Sequence, residues 1–93
     1  MDVKLNDKTY TTNSVKARIF RKAVEINEKK NFNDLKVEDF DELVDFVVEL
    51  YGNQFTRDEF YDGLESDKLI ITLVESITRT ISGTTEKMES KNE

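Results

Sequence analysis

The sequence predicts a mainly α fold, a small helical bundle of about four helices with an N-terminal β-hairpin. Apolar residues recur at intervals of three and four over three long stretches, a threonine-headed capping box opens a fourth, and a short alternating ribbon precedes them all. At 93 residues the chain can close one core but not two. Residues 1–83 are therefore read as a single helical domain with its hairpin, and the polar stretch 84–93 as a flexible C-terminal tail.

The ribbon comes first. Val3-Lys4-Leu5 and the run from Lys8 to Thr12 flank Asn6-Asp7, and threonines and a tyrosine suit a strand. Asn-Asp is a weaker turn than Asn-Gly, because Asp7 is expected to take a left-handed backbone without glycine's freedom. A two-stranded ribbon needs one face packed on something else, and Val3 and Leu5 are its inward residues. A first helix is expected after Asn13 or Ser14, either of which can cap it, with Val15, Ile19, Phe20, Ala23, Val24 and Ile26 on one broad face. Residues 30–37 connect it to a second helix over Glu38 to Tyr51, with Phe32 and Leu35 folding inward as anchors. In that helix Phe40, Leu43, Val44, Val47, Leu50 and Tyr51 repeat at helical spacing. Acids crowd its start and Gly52 follows its end, as the helix dipole and the left-handed cap favour.

Phe55-Thr56-Arg57-Asp58-Glu59-Phe60 is the sharpest local signal. Thr56 is the N-cap, Glu59 reaches back to its N–H, and Phe55 staples to Phe60, which starts a short helix ending near Gly63. Ser66 is expected to cap a last helix carrying Leu69, Ile70, Leu73, Val74, Ile77 and Ile81. Leu69 to Val74 is also rich in strand formers, but its apolar residues do not alternate and the helical period persists for about three turns.

Composition narrows the chemistry. Hydrophobic and charged residues each make up 37% of the chain, and there is no cysteine and no histidine, which removes thiol and imidazole catalysis, the usual zinc ligands and any disulfide. The net charge of −6 is unevenly placed: residues 1–36 hold nine Lys or Arg against five acids, residues 37–67 one against eleven, and residues 68–93 four of each. The basic first helix looks like a nucleic-acid reader, yet no Gly-rich turn leads to a recognition helix, no aromatic stacking array accompanies it, and adjoining acidic helices can neutralise it. No nucleic acid partner is expected, and no membrane partner either, since no apolar run is long enough to span one.

The acidic residues do not form a site. A calcium loop starting at Asp58 would place Phe60 and Leu69 at its third and twelfth positions, where oxygen ligands are needed. Asp41, Asp45 and Glu49 lie at four-residue spacing on one helical face, as expected of a solvated surface. No glycine-rich loop with its lysine is present to cradle a phosphate, and Glu65-Ser66-Asp67 lacks the aspartate-then-serine order of a carrier attachment point. The chain is read as no enzyme, with no cofactor.

Residues 31–74 carry a resemblance. Asn31-Phe32-Asn33-Asp34-Leu35, then Asp41 to Val48, Tyr51-Gly52-Asn53-Gln54-Phe55-Thr56 and Tyr61 to Ile70 resemble the tail assembly chaperones of long-tailed, siphovirus-type phages of Gram-positive bacteria. The opening Val3 to Tyr10 is similar to that family's N-terminal ribbon, and the likeness covers about residues 1–82. The family often has glycine where this chain has Asp7, and proline where it has Ile71, which bears on the tightness of the hairpin and the continuity of the last helix.

The resemblance implies a chaperone made in the host cytoplasm that coats the tape measure protein. It would help the tail tube protein polymerise around that client, and would leave before the mature virion is complete. A longer frameshifted product with an added C-terminal domain is common in such a family, and a polar tail suits one. The expected contact set is Phe46, Val48, Tyr51, Phe60 and Tyr61, apolar residues in excess of a one-face helix, since aromatics carry much interface energy. Each is also a candidate for the monomer core. Self-association into a homo-oligomer through the same surface is a further expectation. The alternatives are an acidic regulator that masks a nucleic-acid-binding protein, and a structural head–tail connector subunit.

Overall fold

The computed structural model describes residues 1–12 and 14–91, with side chains described as far as Gly83. Two strands, β1 (Asp2–Leu5) and β2 (Lys8–Thr11), precede four helices, α1 (Ala17–Lys29), α2 (Val37–Leu50), α3 (Arg57–Gly63) and α4 (Leu69–Lys91), the last entered through a 3-10 turn at Ser66–Lys68. The mainly helical bundle with its N-terminal hairpin is therefore observed. The expected tail at 84–93 falls on side chains, and for Asn92 and Glu93 on backbone, outside the described residues.

The hairpin is antiparallel with Asp2 opposite Thr11 and Leu5 opposite Lys8. Its turn differs from expectation in one respect: Asn6, at φ 56°, takes the left-handed backbone. Asparagine tolerates that region best of the non-glycine residues, so Asp7 needs no such concession. Val3 and Leu5 are both buried, as their alternation requires. Tyr10, opposite Val3, sets its ring edge-on to Phe55 with centroids 4.9 Å apart. Polar straps reinforce the contact, since Thr12 Oγ1 donates to the Leu50 carbonyl at 3.0 Å and Gln54 Nε2 to the Thr11 and Tyr51 carbonyls at 2.9 and 2.8 Å.

Helix starts show which local signals are used. α1 begins at Ala17 with Lys16 at the N-cap and no side-chain cap, so Ser14 does not cap it, while Asn13 lies outside the described residues. α2 begins at Val37 with half of a capping box, the Lys36 N–H donating to Asp39 at 3.0 Å. α3 makes the whole box: the Glu59 N–H donates to Thr56 Oγ1 at 3.1 Å and the Thr56 N–H to Glu59 at 2.9 Å. The Phe55–Phe60 staple stacks with centroids 6.0 Å apart. Ser66 sits inside the 3-10 turn, whose N-cap is Glu65 without a side-chain bond, so the expected Ser66 cap is not formed. From Leu69 the backbone is continuous α-helix, which excludes the strand alternative.

The core gathers Phe46, Phe60, Leu43, Val44, Val47, Leu73 and Ile77, all essentially without exposed surface. α4 packs chiefly on α1 and α3 on α2. On α4, Ser76 and Thr80 are buried, and each hydroxyl donates to the carbonyl four residues earlier, Ser76 to Thr72 and Thr80 to Ser76, both at 2.7 Å. That back-bonding satisfies a polar group inside an apolar surface.

Gly63 joins the hairpin to the bundle. Its carbonyl accepts the Asn6 N–H at 2.8 Å, and a Cβ there would meet Leu5 Cβ at 2.8 Å and Leu5 Cα at 3.2 Å. A Cβ on Gly83 would meet nothing within 4 Å. Gly63→Ala is expected to destabilise the chain by roughly 1–3 kcal/mol through overpacking. Gly83→Ala is expected to stabilise it by about 0.5–1 kcal/mol through helix propensity. Urea denaturation of both variants checks the opposite signs.

Candidate protein-binding surface

The charged surface is organised by cross-helix pairs. Lys30, just after α1, reaches Asp39 at 2.7 Å and Glu42 at 2.6 Å, and Lys22 reaches Glu49 at 3.3 Å. The basic face of α1 is thus partly neutralised by acidic α2, as its sequence neighbours suggested. α3 runs back along α2: Arg57 makes a two-point contact with Asp45 at 2.9 and 2.6 Å and approaches Asp41 at 3.8 Å. Tyr61 donates to Asp41 at 2.7 Å. Hydrogen bonds from Lys30 and Arg57 hold the Asp39 and Asp45 carboxyls below the usual carboxylate range. Among the described residues no cluster of three or more acids is arranged to hold a metal ion, and no helix is long and apolar enough to cross a membrane.

The five residues proposed from sequence as a contact set divide sharply. Phe46 and Phe60 have no exposed surface and Tyr51 only 2%. A partner reaches Phe46 and Phe60 only if the core opens, whereas Tyr51, otherwise buried, borders a surface cleft. Val48 and Tyr61 are half-buried and pack against the core from its border, leaving part of each at the surface. The large apolar side chains that do stand exposed are Val37 at 75%, Ile71 at 57% and Ile70 at 45%. Ile70 shares the helical period of the last helix, yet it stands at the surface. None of these three belongs to the contact set expected from sequence. Ile71 lies off the Leu69, Leu73, Ile77, Ile81 stripe, and that offset is the signal available in the sequence.

These features define a class: a small helical module with a closed core and a paired polar surface, suited to contact with other proteins. The whole chain, residues 1–93, matches the family model described as phage tail chaperone protein, and the chain belongs to that family. Comparison with curated proteins and with solved structures finds no match. As a tail chaperone the chain is a non-catalytic component that acts through protein–protein interaction.

Two titrations test the electrostatics. Asp39 and Asp45, depressed in the fold, contribute stability that is present above the unfolded carboxylate value near ~4 and lost as pH falls through their folded values. Acid denaturation should therefore begin below about pH 4, and Arg57→Ala should make the acid limb shallower, by a small amount because the pair is exposed. Burial pushes the Tyr51 and Tyr61 hydroxyls up to about 12, and for Tyr61 the bond to Asp41 adds to it. Stability should then fall from about pH 10, where tyrosines of the unfolded chain ionise, to about 12, where these two ionise in the fold. Phenolate absorbance and denaturant midpoints follow both limbs.

Proposed function

We propose that the chain binds the tape measure protein of a siphovirus-type phage of Gram-positive bacteria and assists tail tube assembly around it. The observation that carries this reading is the match to the tail chaperone family over residues 1–93. A tape measure protein is a long helical client with apolar surface, and reversible cover of that surface keeps it from aggregating until tube subunits replace the chaperone. The exposed Val37, Ile70 and Ile71, with the bordering Val48 and Tyr61, supply apolar contact without unfolding the core. The chaperone acts in the host cytoplasm and is absent from the mature virion.

Pull-down from infected cells with the tagged chain, at low and high salt, tests the proposal. Tape measure protein should be recovered at both, because apolar cover depends weakly on ionic strength. An Ile70→Ser/Ile71→Ser double variant should recover several-fold less while keeping its thermal midpoint. Recovery only of a basic nucleic-acid-binding protein, lost steeply with salt, would instead support the masking regulator. Finding the chain in purified mature particles would support the connector subunit.

A further inference from the structure

β1 has one edge paired and one edge open. The Thr12 N–H donates to the Met1 carbonyl at 3.1 Å, which fixes the phase of the ladder: Met1, Val3 and Leu5 direct their backbone groups at β2, while Asp2, Lys4 and Asn6 direct theirs away. On that outer edge the Asn6 N–H is taken by Gly63. The N–H and C=O groups of Asp2 and Lys4 have no hydrogen-bond partner among the described residues. Two donors and two acceptors thus stand at strand spacing along an unprotected edge.

The edge faces a cleft of about 320 Å³ whose far wall is α4, through Thr72, Glu75, Ser76 and Arg79. Tyr51 also lines it. That residue is 98% buried, with 2% exposure, yet its hydroxyl makes no hydrogen bond within the described chain. Among the described residues no fully buried side-chain polar atom lacks a partner, so the hydroxyl opens on free space. It feels the charges of Asp2 and Arg79, both of which line the same cleft. The side chains of Asp2 and Lys4 form no ion pair among the described residues, whereas Glu75 and Arg79 on the opposite wall pair with each other at 3.9 Å.

We propose that this cleft takes an extended polypeptide segment of the client as a third, antiparallel strand on the outer edge of β1. Its backbone bonds the free groups of Asp2 and Lys4, an acidic residue lies opposite Lys4, and a basic one, two residues on, lies opposite Asp2. Directly opposite charges on one sheet face attract, and the reversed order would set like charges together. The residue between them shares the face of Val3 and points at the cleft floor, where the Tyr51 hydroxyl favours a hydroxyl-bearing side chain over an apolar one. Assignment of the segment to the tape measure client rests on the function proposed above; the strand addition itself rests on the edge and the cleft.

The test titrates the isotope-labelled full chain with a synthetic peptide centred on Glu-Thr-Lys and follows amide shifts by NMR. Saturable shifts are expected at Asp2 to Asn6 and along Thr72 to Arg79. Binding should weaken about tenfold or more when the Glu and Lys amides of the peptide are N-methylated, and several-fold for Lys-Thr-Glu. Lys4→Pro removes an outward N–H but no β1–β2 bond, and should abolish the shifts with the hairpin intact. Tyr51→Phe should weaken Glu-Thr-Lys several-fold and leave Glu-Val-Lys unchanged. Absence of binding, or equal binding of the N-methylated or charge-reversed peptide to wild-type chain, overturns the proposal whether or not Lys4→Pro folds. The same shifts produced by concentrating the free chain would assign the edge to a second copy and overturn it too. If wild-type chain and Lys4→Pro recover tape measure protein equally, the strand site fails as a client site and the functional reading stands. If wild-type chain recovers none, that reading fails, while the peptide titration still decides the strand addition.

Discussion

The Phe55 ring is the contact on which the arrangement turns. It lies in the loop between α2 and α3, touches Tyr10 of β2 edge-on at 4.9 Å, and faces Tyr51 and Phe60 at 5.6 and 6.0 Å. A four-residue hairpin strand pair has too little surface to persist alone. Four rings in contact let it share the core of the bundle, each pair adding about 0.5–1.5 kcal/mol beyond area burial. Thr56 and Glu59 close the capping box beside Phe55, so local backbone chemistry fixes where that ring points.

From this constraint the distribution of surface follows. With β2 held over Phe55 and the Asn6 N–H tied to Gly63, the hairpin is oriented so that β2 covers one edge of β1 and the other edge opens on the cleft before α4. Phe46, Tyr51, Phe55 and Phe60 are drawn inward, which leaves side chains at the border and backbone at the edge as the surface accessible with the core shut.

Much of the fold was legible because its signals are local. The Thr56 box, the helical period of Leu43 to Leu50 and the alternation of Val3 and Leu5 each depend on residues a few positions apart. The caps at Ser14 and Ser66 were not, because a residue able to cap is only one way to begin a helix; Lys16 and a 3-10 turn begin these. The contact surface was the least legible. Phe46, Tyr51 and Phe60 look surplus to a one-face helix, but α2 is packed by α1, α3 and α4 at once, so more than one of its faces belongs to the core. Likewise the free edge of β1 is a property of pairing phase and of Gly63, which is distant in sequence, and no composition or period announces it.

Whether client binding leaves the core shut is measured most directly by hydrogen–deuterium exchange of the full chain, alone and with a tape measure fragment. Amides of Asp2 and Lys4 should gain protection on binding while those of α2 around Phe46 and of α3 around Phe60 keep theirs. Loss of protection in α2 and α3 on binding would contradict a shut core, because the buried aromatics would then be what the client touches.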